Sequence, residues 1–326
     1  MALSAKENYK KMLRLEIPDF VPSGGFEPHS TSFREDLLTP VSAPDGPIIT
    51  TLGVEYTGAE KNQWGAMPTP GWIVVSDITK WRDQLKIQDL SDWAWESYYH
   101  EKTKDLDREN LNVSCGGGDY FLTLVSLMGF DGAFVAMYEE PEEVKAMLTH
   151  VSEFYTMVLK KQIQYVKPDL YTLMDDDAGW SAPFFSLAHY REFFRPFHKL
   201  HIDLIRGSGG LVNRHDCGKS EQFVEDWIED GISSWTPFQV SNDTRGIKQK
   251  YVGQIALEGG WDSRPVYETD EALIEAMTEF VDTFAPGGGF SFSVGAGGSP
   301  DDPEVIRRRE LIKKFYYDYV HDYYNR

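Results

Sequence analysis

The chain has 326 residues, of which 41% are hydrophobic, and a formal net charge of −20. That hydrophobic share supports a full buried core, and the acidity excludes nucleic acid and anionic membranes as partners, because both repel an acidic surface. It also tells against a polyanionic substrate. Two cysteines, Cys115 and Cys217, are too few for a disulfide framework and suit a reducing compartment. The first residues, Met1 to Asn8, lack the apolar core of a signal peptide, and no run of about twenty apolar residues is present to span a bilayer. The expectation is a soluble, cytoplasmic protein.

In chain order, Ser4 to Arg14 reads as an amphipathic helix capped by Ser4, with Tyr9, Met12 and Leu13 on one face. Phe20-Val21-Pro22 suits a short strand, followed by the glycine-rich loop Ser23-Gly24-Gly25-Phe26-Glu27-Pro28-His29-Ser30. Residues 46–76 read as β structure, including Ile48-Ile49 and Trp72-Ile73-Val74-Val75, and a helical region runs on to about Asn110. A regular alternation then begins. Apolar strand candidates lie at 111–115, 133–137, 170–174, 210–214, 232–235, 253–257 and 289–294. Helix-length segments at 141–166, 187–206, 219–230, 270–284 and 303–325 separate most of them. Strand then helix, repeated with short connections, is the signature of parallel βα units. The expected fold is therefore a single α/β domain over residues 1–326, a (β/α)8 TIM-type barrel with a helical and β elaboration within residues 1–110. No Gly-x-Gly-x-x-Gly follows the first good strand, which argues against a dinucleotide-binding sheet.

In such a barrel, chemistry gathers where strands run out into the following loops. Asp175-Asp176-Asp177 follow one strand, His215-Asp216-Cys217-Gly218 the next, and Glu258-Gly259-Gly260-Trp261-Asp262 a later one. In an extended segment residues i and i+2 face the same side, so His215 and Cys217 can converge on one point. Imidazole nitrogen and thiolate sulfur are donors that zinc prefers. Asp176, Asp177 and Glu258 are the candidate catalytic carboxylates, with Glu258, or else an aspartate of 175–177, also the candidate third metal ligand beside His215 and Cys217. A row of three aspartates also suits a helix N-terminus, and its mutual repulsion calls for a cation or hydrogen-bond donors nearby. Phe26, His29, Trp64, Trp180 and Trp261 are candidates to line a substrate site. His189, His198 and His201 fall within a helix and read as surface or packing residues, and Cys115 as a buried structural thiol.

The stretch from Asp175 to Gln239 resembles the uroporphyrinogen decarboxylase superfamily. The resemblance rests on Asp176-Asp177-Ala178-Gly179, the aromatic-rich helix Tyr190 to Phe197, His215-Asp216-Cys217-Gly218, and Gly231 through Pro237-Phe238-Gln239. Weaker matches extend it: Lys6-Glu7-Asn8 to Pro18-Asp19, Gln63-Trp64-Gly65, Tyr138 to Glu142, and Gly295-Ala296-Gly297. The resemblance implies a (β/α)8 barrel. The first loop, Ser23 to Ser30, lacks the arginine with which the decarboxylase grips its many carboxylates. His-x-Cys instead looks like the cobalamin-dependent methyltransferase branch, where it supplies two zinc ligands. Ala296 stands where thiol-methylating members carry a third, cysteine ligand.

What the resemblance implies is a methyltransferase of the veratrol- or vanillate-type O-demethylase kind. Such an enzyme moves a methyl group from a small aryl methyl ether to the cob(I)alamin of a separate corrinoid protein, with zinc as the expected metal. No Asp-x-His-x-x-Gly corrinoid motif is present, so the cobalamin is expected on the partner protein and not on this chain. The alternatives are a uroporphyrinogen decarboxylase-type reaction, a methylcobamide:thiol methyltransferase, and a ligand-binding barrel without turnover.

Overall fold

The computed structural model describes residues 3–33, 37, 47–57, 67–265 and 267–326. Trp64, with its Gln63-Trp64-Gly65 turn, lies outside the described residues. The first helix, Ala5–Leu13, starts where the Ser4 hydroxyl accepts the Glu7 N–H at 3.3 Å. Its buried face of Tyr9, Met12 and Leu13 packs on Leu170 and Ala256, residues at the starts of two barrel strands. The helix thus covers the N-terminal end of the barrel.

The strands in chain order are β1 (Ser30–Ser32), β2 (Ile48–Ile49), β3 (Glu55–Thr57), β4 (Met67–Pro68), β5 (Asn112–Gly117), β6 (Leu170–Met174), β7 (Leu211–His215), β8 (Ser234–Phe238), β9 (Ala256–Gly259) and β10 (Phe290–Ser291). β2, β3 and β4 form a small antiparallel sheet, the β part of the N-terminal elaboration. The other seven pair in parallel in the order β1-β5-β6-β7-β8-β9-β10. Beyond β10, the Phe292 N–H donates to the Pro22 carbonyl at 2.8 Å, so the extended run at Phe20 to Pro22 supplies the remaining position. The fold is the expected α/β TIM-type barrel. Helices Pro141–Lys161, Arg195–Gly207, Val224–Asp230, Thr244–Tyr251, Asp270–Phe284 and Pro303–Phe315 lie between or after its strands.

Three local expectations are corrected. Residues 133–137 belong to the helix Phe130–Glu139, which follows the helix Tyr120–Met128 across Gly129. A short apolar run does not distinguish a strand from a helix by periodicity, and here Ala133, Ala136, Met137 and Glu139 favour the helix within a ten-residue segment. Trp72 to Val75 is not a strand; the N–H groups of Val74 and Val75 donate to the Leu127 carbonyl instead. The barrel strand that the alternation missed is β1, three polar residues with no hydrophobic signature. No single helix among the described residues is long and apolar enough to cross a membrane.

Hydroxyl and amide side chains line part of the barrel interior. Ser114 pairs with Thr172 at 3.3 Å, while Tyr9 connects Asn213 with Glu258. Among the buried histidines, burial lowers His29 to about 4 and His201 to about 3, so both are neutral rings. Both folded-state values lie below the ordinary 6.5, so on acidification the unfolded chain takes up these protons first. Their contribution to stability is present above pH 6.5 and lost as the pH falls toward 4. The change in urea-unfolding free energy between pH 7 and 4.5 is therefore expected to be less destabilising by about 2 kcal/mol in His201→Gln than in the unaltered protein; an identical profile in the two would contradict the assignment.

Candidate functional site

The three aspartates after β6 separate into three jobs because an extended chain turns alternate side chains to opposite sides. Asp175 is fully buried and caps the helix Tyr120–Met128. Its carboxylate accepts the N–H groups of Tyr120, Phe121 and Leu122 at 2.9–3.0 Å, and His198 lies 3.2 Å away. Asp177 is also fully buried and meets the Arg214 guanidinium at 2.5 Å, which in turn holds Asp216 at 2.6 Å. The face of Arg214 lies 5.4 Å over the Trp227 ring. Two carboxylates thus share one guanidinium in a site with no water access, and burial raises Asp177 and pushes Asp216 up to about 6. Asp176 points the other way, half-exposed, toward the barrel mouth.

The same alternation sorts β7. Arg214 and Asp216 face the surrounding helices, while Asn213, His215 and Cys217 face the interior and the mouth. The His215 Nε2 lies 3.6 Å from the Cys217 Sγ and 3.8 Å from the Asp176 Oδ1, which also accepts the Cys217 N–H at 2.8 Å. The ligand atoms of Asp176, His215 and Cys217 all lie within 4.8 Å of one another. A tetrahedral zinc with bonds of about 2.0 Å to nitrogen and 2.3 Å to sulfur separates those two atoms by roughly 3.5 Å. Burial lowers His215, keeping a neutral imidazole with its lone pair available. Burial, then the nearby Asp176 charge, pushes the Cys217 thiol up to about 12. Without a cation the sulfur therefore holds its proton; with one, it becomes the ligand.

Gly218 shapes this corner. Its φ is +88°, and an added Cβ would fall 2.4 Å from the Ala178 carbonyl oxygen and 2.6 Å from that of Gly179. Only glycine lets the backbone after Asp177 approach the one after Cys217 so closely. The Gly218 N–H donates to the Gln239 Oε1 at 2.7 Å, which gives the glutamine after β8 its place.

A cavity of about 850 Å³ lies next to the triad, whose three residues do not themselves line it; Thr236 on its wall pairs with His215 across the sheet. Phe26, His29, Trp180 and Trp261 all line it, as does Glu258. Glu258 does not join the metal-type triad. Its Oε2 accepts from the Tyr9 hydroxyl at 2.8 Å and its Oε1 from the Ser234 hydroxyl at 2.5 Å, and burial raises its carboxyl. Asp177, committed to Arg214, is likewise set apart from Asp176. Tyr9, Ser234 and Arg214 are the site residues that sequence reasoning missed. The signal for Arg214 was its position between two mouth-facing residues on one strand; nothing local pointed to Tyr9.

Residues 103–308, well over half of the chain, match the profile of Uroporphyrinogen decarboxylase (URO-D). No curated protein matches the chain in sequence. Among solved structures, the fold is similar to that of a methyltransferase from Methanosarcina mazei, with 14% identity and a TM-score of 0.57 over 96% of this chain and 99% of that one. The matched segment carries Asp176, the His215-Asp216-Cys217-Gly218 corner and Gln239, on the barrel that the strand order describes. The chain belongs to the uroporphyrinogen decarboxylase (URO-D) family.

Proposed function

We propose that this protein is the substrate-side methyltransferase of an O-demethylation system. It would bind a small aryl methyl ether in the cavity and present its methyl group to the cob(I)alamin of a separate corrinoid protein, leaving a phenolate. The observation that carries this reading is the convergence of Asp176, His215 and Cys217 beside a cavity walled by Phe26, Trp180 and Trp261. The fold's likeness to a methyltransferase supports it.

A phenolate leaves poorly unless its developing charge is stabilised. A zinc held by Asp176, His215 and Cys217 would act as the Lewis acid for that oxygen. The chain's own residues do the rest. Phe26, Trp180 and Trp261 offer apolar faces to a flat ring and exclude water from it. Asp176 accepts the Cys217 N–H and so orients the thiol toward His215. Arg214, by neutralising the carboxylates of Asp177 and Asp216 behind the strand, holds the residues on either side of the triad in place. A decarboxylase of polyanionic porphyrinogens is the less favoured reaction. Among the described cavity-lining residues Arg264 alone carries a guanidinium or ammonium, and Asp262 already pairs with it.

The test is to mix the purified protein with a reduced corrinoid protein and a panel of methoxylated arenes, following methyl-cobalt formation by absorbance. Transfer from at least one donor is expected, together with about one equivalent of zinc by elemental analysis. No transfer across the panel would sink the reading.

A further inference from the structure

The cavity's charge balance limits the methyl donor further. Its lining, among the described residues, includes the carboxyl groups of Glu258 and Asp262 and a single guanidinium, Arg264. Arg264 is occupied. Its Nε and Nη2 donate to the two oxygens of Asp262 at 2.8 and 2.7 Å, and its backbone N–H adds a third bond at 3.0 Å. The guanidinium also sits 5.5 Å over the Trp180 ring, so both partners are tied to the cavity rim. The remaining basic group on the wall, His29, is a neutral ring. Glu258 takes its hydrogen bonds from hydroxyls and, among the described residues, forms no ion pair.

We propose that the Asp262–Arg264 pair makes this site selective for uncharged methoxyarenes over their carboxylated counterparts. A ligand carboxylate would need Arg264 as its two-pronged partner. Asp262, two residues away on the same loop, already fills that fork and competes at high effective concentration. A carboxylated ring would also bring a second negative charge to a wall that holds Glu258 and Asp262. An uncharged ring meets neither cost. This inference rests on the proposed methoxyarene reading and deepens it.

Calorimetric titration of the whole protein, without corrinoid, tests it with two matched pairs: guaiacol against vanillate, and veratrole against veratrate. The uncharged member of each pair is expected to bind at least about tenfold tighter. Asp262→Asn frees the guanidinium and should move that ratio about tenfold toward the carboxylated member. Adding Arg264→Gln to Asp262→Asn should cancel the shift, since the gain comes from the guanidinium. Equal or tighter binding of the carboxylated members by the unaltered protein overturns the inference. So do an unchanged ratio in Asp262→Asn and an absence of binding by either class. Methyl transfer to cobalt, measured separately, keeps the two readings apart. Selective binding without any transfer defeats the proposed reaction alone, whereas transfer from vanillate as readily as from guaiacol defeats only the selectivity.

Discussion

Cys217→Ala is expected to lower bound zinc from about one equivalent to below roughly 0.1, and methyl transfer by at least about a hundredfold. The reason is the donor count. With Asp176, His215 and Cys217 as the only protein ligands that converge among the described residues, losing one leaves two, too few for a tight site. Asp176→Ala should act in the same direction. Glu258→Gln should leave the zinc content unchanged, because both oxygens of Glu258 are engaged by Tyr9 and Ser234, apart from the triad. The same geometry sets a pH dependence. The Cys217 thiol, at about 12, must lose its proton to bind metal, so at every pH below that value a proton is displaced. Zinc affinity should therefore rise by about tenfold per pH unit between pH 6 and 8, less whatever buffer competition removes. Elemental analysis and competition with a colorimetric chelator measure both effects. A full zinc complement in Cys217→Ala, or an affinity independent of pH, contradicts the assignment.

The second large effect falls on stability. Arg214→Met should cost about 3–5 kcal/mol, because it leaves the carboxylates of Asp177 and Asp216 buried with no cation. The cost arises from the orphaned charges more than from the lost contacts. Converting Asp177 and Asp216 to asparagine in the Arg214→Met background should therefore recover a large part of it. Urea unfolding of the single and triple variants decides the point, and a loss under about 1 kcal/mol in Arg214→Met would show that the cluster is not held together by charge. The single variant should also bind zinc less well, since Asp177 and Asp216 adjoin Asp176, His215 and Cys217 in the chain.

Particular elements show why some of this was readable in advance. The helices at 141–166, 187–206, 219–230, 270–284 and 303–325 stand within a few residues of where periodicity places them. All but the seven-residue helix Val224–Asp230 span at least three turns, and helix periodicity is a local property. The error at 133–137 and the omission of β1 have the opposite cause. One is apolar all round and the other has three polar residues, so neither carries a period that separates strand from helix. Phe26, His29, Trp180 and Trp261, the described members of the expected substrate-lining set, line one cavity.

By itself, then, the sequence determined the barrel, the convergence of His215 with Cys217, and the strand ends that carry carboxylates. All of these follow from local period and from the two-residue repeat of an extended chain. Only the tertiary structure decided which carboxylate completes the triad. Asp175 is drawn to three N–H groups more than fifty residues earlier, Asp177 to Arg214, and Glu258 to a tyrosine 249 residues away. Asp176 remains at the mouth because its neighbours on either side are committed elsewhere. Carboxylates look alike in a sequence, and what separates them is the partner that folding brings within hydrogen-bond reach.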